Sequence, residues 1–158
     1  MRTTSGPVID RTVLQAATSI RRAISAFSVR TRFERAGELT FNQTGVLGLL
    51  FRFGSLTPTE IADRMRMLPQ SLTRTLASLE ETGMVTRTPD PADGRQSILS
   101  LTGDGRRALR REMRPRDVWL ATALESHATE GEREILLRAS AILERLSTVD
   151  ALGVPLPE

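Results

Sequence analysis

The chain has no cysteine, no lysine and no tyrosine, and only one histidine, His127, among its 158 residues. Without cysteine there is no disulfide, no thiolate zinc site, no cysteine nucleophile and no thiol-based redox switch. A single histidine argues against a histidine-rich metal site, so neither a metal nor any other cofactor is expected. Long apolar runs are missing too: Val46 to Phe51 falls far short of the roughly 20 residues of a membrane span. The opening MRTTSGPVID lacks the apolar core of a signal peptide. A cytoplasmic protein with no membrane partner is the expectation.

All 22 residues of the Lys+Arg count are arginine. With no Lys or Tyr to titrate, a net charge of only +3 is enough to drive the pI to about 11.0, which overstates how basic the protein is. The distribution of charge says more. Residues 1–56 carry 8 Arg against 3 acids, residues 57–116 carry 11 against 8, and residues 117–158 carry 3 against 8. A basic front and an acidic tail suggest a polyanion partner for part of the surface, whereas the bias toward Arg over Lys fits codon usage in a GC-rich genome. The length fits one domain, with or without helical extensions, and 39% hydrophobic with 26% charged residues is ordinary for a folded globular chain.

Periodicity then orders the chain. After a lead-in over 1–9, Val13, Ala17, Ile20, Ile24 and Phe27 recur at spacings of four and three, predicting an amphipathic helix over 11–35 that starts at Asp10 and is ended by Gly37. Residues 40–53 are apolar on all sides, which predicts a buried helix closed by Gly54. Thr57-Pro58-Thr59-Glu60 is a capping box with Pro at the first helical position, opening a short helix over 58–65. Pro69-Gln70-Ser71 starts a second helix, in which Leu72, Leu76 and Leu79 keep helical spacing up to Gly83. Two short helices joined by a few residues make a helix-turn-helix pattern. Strand-like residues 84–88 and 96–101 flank the turn-rich 89–95, which predicts a β-hairpin wing with a long polar tip. Thr102-Gly103-Asp104 opens a long helix over 103–126 with Pro115 inside it as an expected bend, and a capping box over Thr129–Glu132 opens a last amphipathic helix.

The ordered set LTPTEIADRM, LPQSLTRTLASLEETGMVTRT and DPADGRQSILSLTGDGRRAL, within Leu39 to Leu109, resembles the MarR family of bacterial transcriptional regulators. The family's wing pattern of Asp, one residue, Arg and an apolar strand ending in Leu-Thr appears as Asp93-Gly94-Arg95 leading to Leu101-Thr102. Gln96 departs from it, standing where a small hydroxyl residue is common. The resemblance implies a mainly α fold with a small β-hairpin wing: a winged helix-turn-helix domain over 38–110 between dimerisation helices over 10–37 and 111–150, with a tail over 151–158. It also implies an Asp93–Arg95 pairing that shapes the wing, and effector binding between the dimerisation helices and the winged domain. Phe27, Phe51, Met113 and Trp119 are the candidate lining residues for such an effector, although side chains of this kind at helical spacing also build cores.

Physical reasoning points to double-stranded DNA by a separate route. A recognition helix enters the major groove by its N-terminus, so Gln70, Ser71, Thr73 and Arg74 are the base-reading candidates. Gln can pair bidentately with adenine and Arg with guanine. Arg95, at a hairpin tip, can reach the minor groove. Thr57 and Thr59 can donate to a phosphate or serve only as caps. Arg106, Arg107, Arg110, Arg111, Arg114 and Arg116 form helical stripes that fit either a DNA backbone contact or a solvated face. Two terminal amphipathic helices leave apolar surface that a homodimer would bury, and a dimer would set two recognition helices about one DNA turn apart, roughly 10 base pairs. The sequence thus reads as a homodimeric regulator, a repressor of a pseudo-palindromic operator released by a small-molecule effector. Two further readings are a winged-helix protein-interaction module that has lost DNA binding and a small enzyme. The first is opposed by Arg74 and Arg95, and the second by the lack of any base beside a nucleophile at a diagnostic spacing.

Overall fold

The computed structural model describes residues 9–34, 37–91 and 93–149. The expected lead-in up to residue 8 and the tail over 151–158 lie outside them. Among the described residues, six helices and a two-stranded antiparallel sheet follow in the order expected. The chain divides into two compact units, Met1–Arg116 and Asp117–Glu158. No helix among the described residues is long and apolar enough to cross a membrane.

In the first unit, α1 (Arg11–Arg32) begins where the Asp10 carboxylate accepts the backbone N–H groups of Thr12 and Val13 at 2.7 and 3.4 Å. It buries no residue, and its apolar stripe of Val13, Ile20, Ile24 and Phe27 remains exposed. Helix α2 (Phe41–Phe53) opens on a capping box in which Thr40 and Gln43 satisfy each other's backbone N–H. Its Val46, Leu47 and Leu50 are buried, but the expectation of burial all round is corrected: Phe41 is 67% and Phe51 59% exposed. The winged core covers one side of α2 only. On the open side, the guanidinium of Arg32 lies 5.5 Å from the centre of the Phe41 ring and that of Arg64 lies 4.4 Å from the Phe53 ring.

Helices α3 (Pro58–Met65) and α4 (Pro69–Glu81) form the helix-turn-helix pair, each with Pro in its first turn. Gly83, at φ 69°, turns the chain from α4 into β1 (Val85–Pro89), which pairs antiparallel with β2 (Ser97–Leu101) in the register Val85 to Leu101. Leu56 adds an isolated bridge to Leu99. Leu47 and Leu50 of α2, Ile61 of α3, Leu76 and Leu79 of α4 and Leu99 of β2 belong to one core cluster. Helix and hairpin residues thus share a single interior.

Helix α5 (Gly103–His127) starts from Thr102 and runs on through Pro115. The Thr102 hydroxyl donates to the carbonyl oxygen of Gly83 at 2.7 Å and accepts the N–H of Gly105 at 3.0 Å, so one side chain closes the hairpin and caps the helix. In the second unit, α6 (Glu130–Leu146) opens on the expected Thr129–Glu132 capping box and buries no residue.

Gly105 is fixed by a close approach. A Cβ there would lie 2.1 Å from the carbonyl oxygen of Met84 and 2.7 Å from Leu101 Cδ1, and a backbone oxygen cannot swing aside. Gly105→Ala is therefore expected to destabilise the winged unit by about 1–3 kcal/mol. Thermal melting checks this, and an unchanged melting temperature would contradict the packing described.

Candidate nucleic-acid interface

The exposed start of α4 carries Gln70, Ser71 and Arg74, and the structure brings these three together along one cleft. Thr40, Asn42 and Gln43 from the start of α2 and Thr75 and Ser78 of α4 complete its lining, enclosing about 480 Å³. Gln43 Nε2 donates to Ser78 Oγ at 3.1 Å, which ties α2 to α4 beneath the cleft. Arg74 is exposed and its guanidinium has no partner among the described residues. Thr73 lies outside this group: its hydroxyl donates to the Pro69 carbonyl at 2.9 Å within the helix. The α2 contribution escaped the sequence reading, although Thr40-x-x-Gln43 is a local capping signal that would have placed the start of that helix.

At the wing tip, Asp93 holds the turn. Its carboxylate accepts the Arg95 backbone N–H and the Gln96 side-chain amide, each at 3.1 Å, while its carbonyl accepts the Gln96 N–H at 2.8 Å. The expected Asp93–Arg95 pairing is thus corrected in kind, because it runs through the Arg95 backbone and not the guanidinium. A side-chain pair would immobilise the charge, whereas this arrangement leaves the Arg95 guanidinium exposed and without a partner among the described residues. Gln96, the departure from the family pattern, supplies one of the bonds that shape the tip. The amide of Gln96, and after it the N–H of Arg95, hold the Asp93 carboxyl below the usual carboxylate range.

The wing is also anchored to the recognition helix. Arg87 on β1 reaches Glu80 on α4 at 2.7 Å and donates to Ser97 Oγ of β2 at 2.7 Å. This link joins residues distant in sequence, and no local pattern announced it.

Thr57 serves the fold directly: its hydroxyl donates to Glu60 Oε2 at 2.8 Å and accepts the Glu60 N–H at 3.2 Å. Thr59 is exposed on the first turn of α3, with its hydroxyl uncommitted among the described residues. In the α5 arginine run, Arg107 pairs with Asp104, Arg111 with Glu38 at 3.2 Å and Arg116 with Glu112 at 3.6 Å. Arg106, Arg110 and Arg114 form the stripe without partners among the described residues. Of the effector candidates, Phe27 and Phe51 are exposed, Met113 packs against the winged core and Trp119 is half-buried. None of the four lines the cleft at α4 or the second one over Gly37–Phe41. Among the described residues no group of three or more His, Cys, Asp or Glu side chains could hold a metal ion.

Glu60, Glu132 and Asp10 share with Asp93 a carboxyl held below its usual range. In each of these three the first cause is a backbone N–H at a helix start: Thr57 for Glu60, Thr129 for Glu132 and Thr12 for Asp10. A depressed folded pKa contributes stability that is fully present above the unfolded value and is lost as pH falls through the folded one. These groups therefore place the acid loss of stability below about pH 4. Melting temperatures followed down the pH scale check this, and a decline attributable to these caps already near pH 6 would contradict it.

Comparison with known proteins agrees with the geometry. Residues 38–96 match the family model described as MarR family. An uncharacterised HTH-type transcriptional regulator of Mycobacterium bovis is 34% identical over 135 residues, covering 85% of this chain and 92% of that protein. The HTH-type transcriptional repressor MdtR of Bacillus subtilis is 34% identical over 105 residues, covering 66% of this chain and 65% of that one. A crystal structure of a transcriptional regulator protein from Pseudomonas aeruginosa superimposes with a TM-score of 0.74 at 31% identity, over 90% of this chain and 99% of that one. With its recognition helix and wing seated on one core, and with these relatives, the chain belongs to the MarR family of winged helix-turn-helix transcriptional regulators, which bind DNA and are not enzymes.

Proposed function

We propose that this regulator is a homodimeric repressor that binds a pseudo-palindromic operator through α4 and the wing, with release by a small-molecule effector. The observation that carries the DNA reading is that unpaired arginines stand at the start of α4 and at the wing tip as well as along the α5 stripe of Arg106, Arg110 and Arg114. Arg87, Arg107, Arg111 and Arg116 are held in ion pairs, while Arg74 beside Gln70 and Ser71, and Arg95 at the wing tip, point no charge at a carboxylate of the described chain. In this reading Gln70, Ser71, Thr73 and Arg74 read base edges, Thr59 donates to a phosphate, and Arg95 enters the minor groove. Thr57 and Asp93 act by holding the elements that carry them. The sign of regulation is supported by the relative MdtR, a repressor.

The dimer is supported by the apolar faces of α1 and α6, neither of which buries a residue in the chain itself. Residues 10–35 and 129–150 would form it, with two recognition helices about one DNA turn apart. An effector can release the DNA only by binding more tightly to a dimer geometry that spaces those helices wrongly. Phe27, Phe51, Met113 and Trp119 are its proposed contacts.

Binding to a duplex from upstream of the protein's own gene should weaken steeply with salt, by about 10³ between 50 and 200 mM if some six phosphates are neutralised. Arg74→Ala should cost operator binding about 1–3 kcal/mol and relax specificity, while Arg95→Ala should weaken all sequences more evenly. Binding that ignores both salt and these substitutions would sink the reading. Ile24 is exposed in the single chain, so Ile24→Asp should leave the winged unit folded and turn the dimer into a monomer, a change that sedimentation reads directly.

A further inference from the structure

The turn between α3 and α4 uses side chains that serve the fold poorly. Arg66 sits in the left-handed region at φ 49° and ψ 45°, the one non-glycine residue among those described with positive φ. Glycine or asparagine would take that conformation with less strain. Leu68 occupies the N-cap of α4, where Ser, Thr, Asp or Asn normally accept a backbone N–H. Helices α1, α2, α3 and α6 have such a side-chain cap, from Asp10, Thr40, Thr57 and Thr129, whereas α4 has none. The helix that leads into DNA gives up its cap for an apolar side chain that is 76% exposed.

That side chain is also isolated. Among the described residues from 54 to 117 it is the only exposed large hydrophobic one, the others lying on or beside α1, α2, α6 and the second unit. It therefore does not belong to the apolar stripes that would bury a dimer. One leucine is too small a surface for a protein partner, but it matches a single methyl group. It stands just ahead of Gln70, Ser71 and Arg74, and the apolar group that base edges present in the major groove is the thymine C5-methyl.

We propose that Leu68 is a further specificity-determining residue, packing against a thymine C5-methyl next to the bases read by Gln70 and Arg74. The inference rests on the DNA-binding geometry proposed above. The wild-type protein is used to enrich a bound duplex from a randomised pool, and its thymines are then replaced one at a time by deoxyuridine. This removes the methyl and leaves the hydrogen-bonding edge intact. At one thymine position in each half-site the wild type should lose about fourfold in affinity, as expected for one buried methyl. Leu68→Ala should bind the thymine and deoxyuridine duplexes equally. Leu68→Ser restores a capping hydroxyl, so it should melt higher than the wild type while also losing the discrimination, which separates contact from folding. If no thymine is methyl-sensitive, or if both variants keep the wild-type preference, the assignment is overturned. A wild type that enriches no duplex overturns the proposed function itself, a result distinct from failure at Leu68 alone.

Discussion

The geometry of the reading surface depends on the paired hydrogen bonds between Leu56 and Leu99, N–H to carbonyl at 3.1 Å in one direction and 2.8 Å in the other. They stitch the residue ahead of α3 to the middle of β2, and the Leu99 side chain enters the core that also holds Leu72, Leu76 and Leu79 of α4. Wing and recognition helix thus share one interior. Sliding one against the other would expose fully buried leucines at about 1.5–3 kcal/mol each. The Arg87–Glu80 pair and the Thr102 hydroxyl on the Gly83 carbonyl add polar links at the same seam. Such a unit moves as one body, so regulation of the proposed dimer would have to act on the spacing between two winged units and not on the wing within one.

Charge follows the same division between scaffold and surface. The sum of 22 arginines and a pI near 11.0 identifies no binding face. What distinguishes one arginine from another is whether a carboxylate or ring already occupies it. Arg30, Arg87, Arg111 and Arg138 are tied to Glu34, Glu80, Glu38 and Glu134 in partly exposed pairs of modest energetic value. Arg116 faces the fully buried Glu112, a pair that helps fix α5 against the core but is weak evidence of added stability. Arg106, Arg110 and Arg114 also lack a partner among the described residues, so what sets Arg74 and Arg95 apart is their place at the start of α4 and at the wing tip, where a guanidinium can reach a groove.

Much of this was legible in the sequence because its signals are local. Capping boxes at Thr57 and Thr129, Pro58 and Pro69 in first turns, and Asp93-Gly94 in the hairpin each act within a few residues of themselves, and the elements begin where those residues put them. Burial was less legible. The apolar run of α2 looked equally fit for burial on every side, and only the one-sided placement of the core decided that Phe41 and Phe51 stay outside. Contacts across the fold were not legible at all: Gln43 with Ser78 and Arg87 with Glu80 depend on packing that no spacing rule encodes. Gln96 shows the limit of pattern matching, since what looked like a weakened wing motif is an amide bonded to Asp93.

The exposed faces of α1 and α6 bear most directly on the proposed dimer. Val13, Ile20, Ile24 and Phe27, with Ile135, Leu136, Ile142 and Leu146, are each roughly half exposed, between 44% and 66%. Burying what remains of each would contribute about 1 kcal/mol, and two copies supply sixteen such side chains. Association costs about 4–15 kcal/mol in lost rigid-body freedom. A contact that used α1 alone would recover only half of the apolar gain and fall within that cost. One that engaged α1 and α6 of both copies together reaches its upper end before any polar contact is counted. For the proposed dimer, the magnitudes therefore favour an interface in which both terminal helices take part.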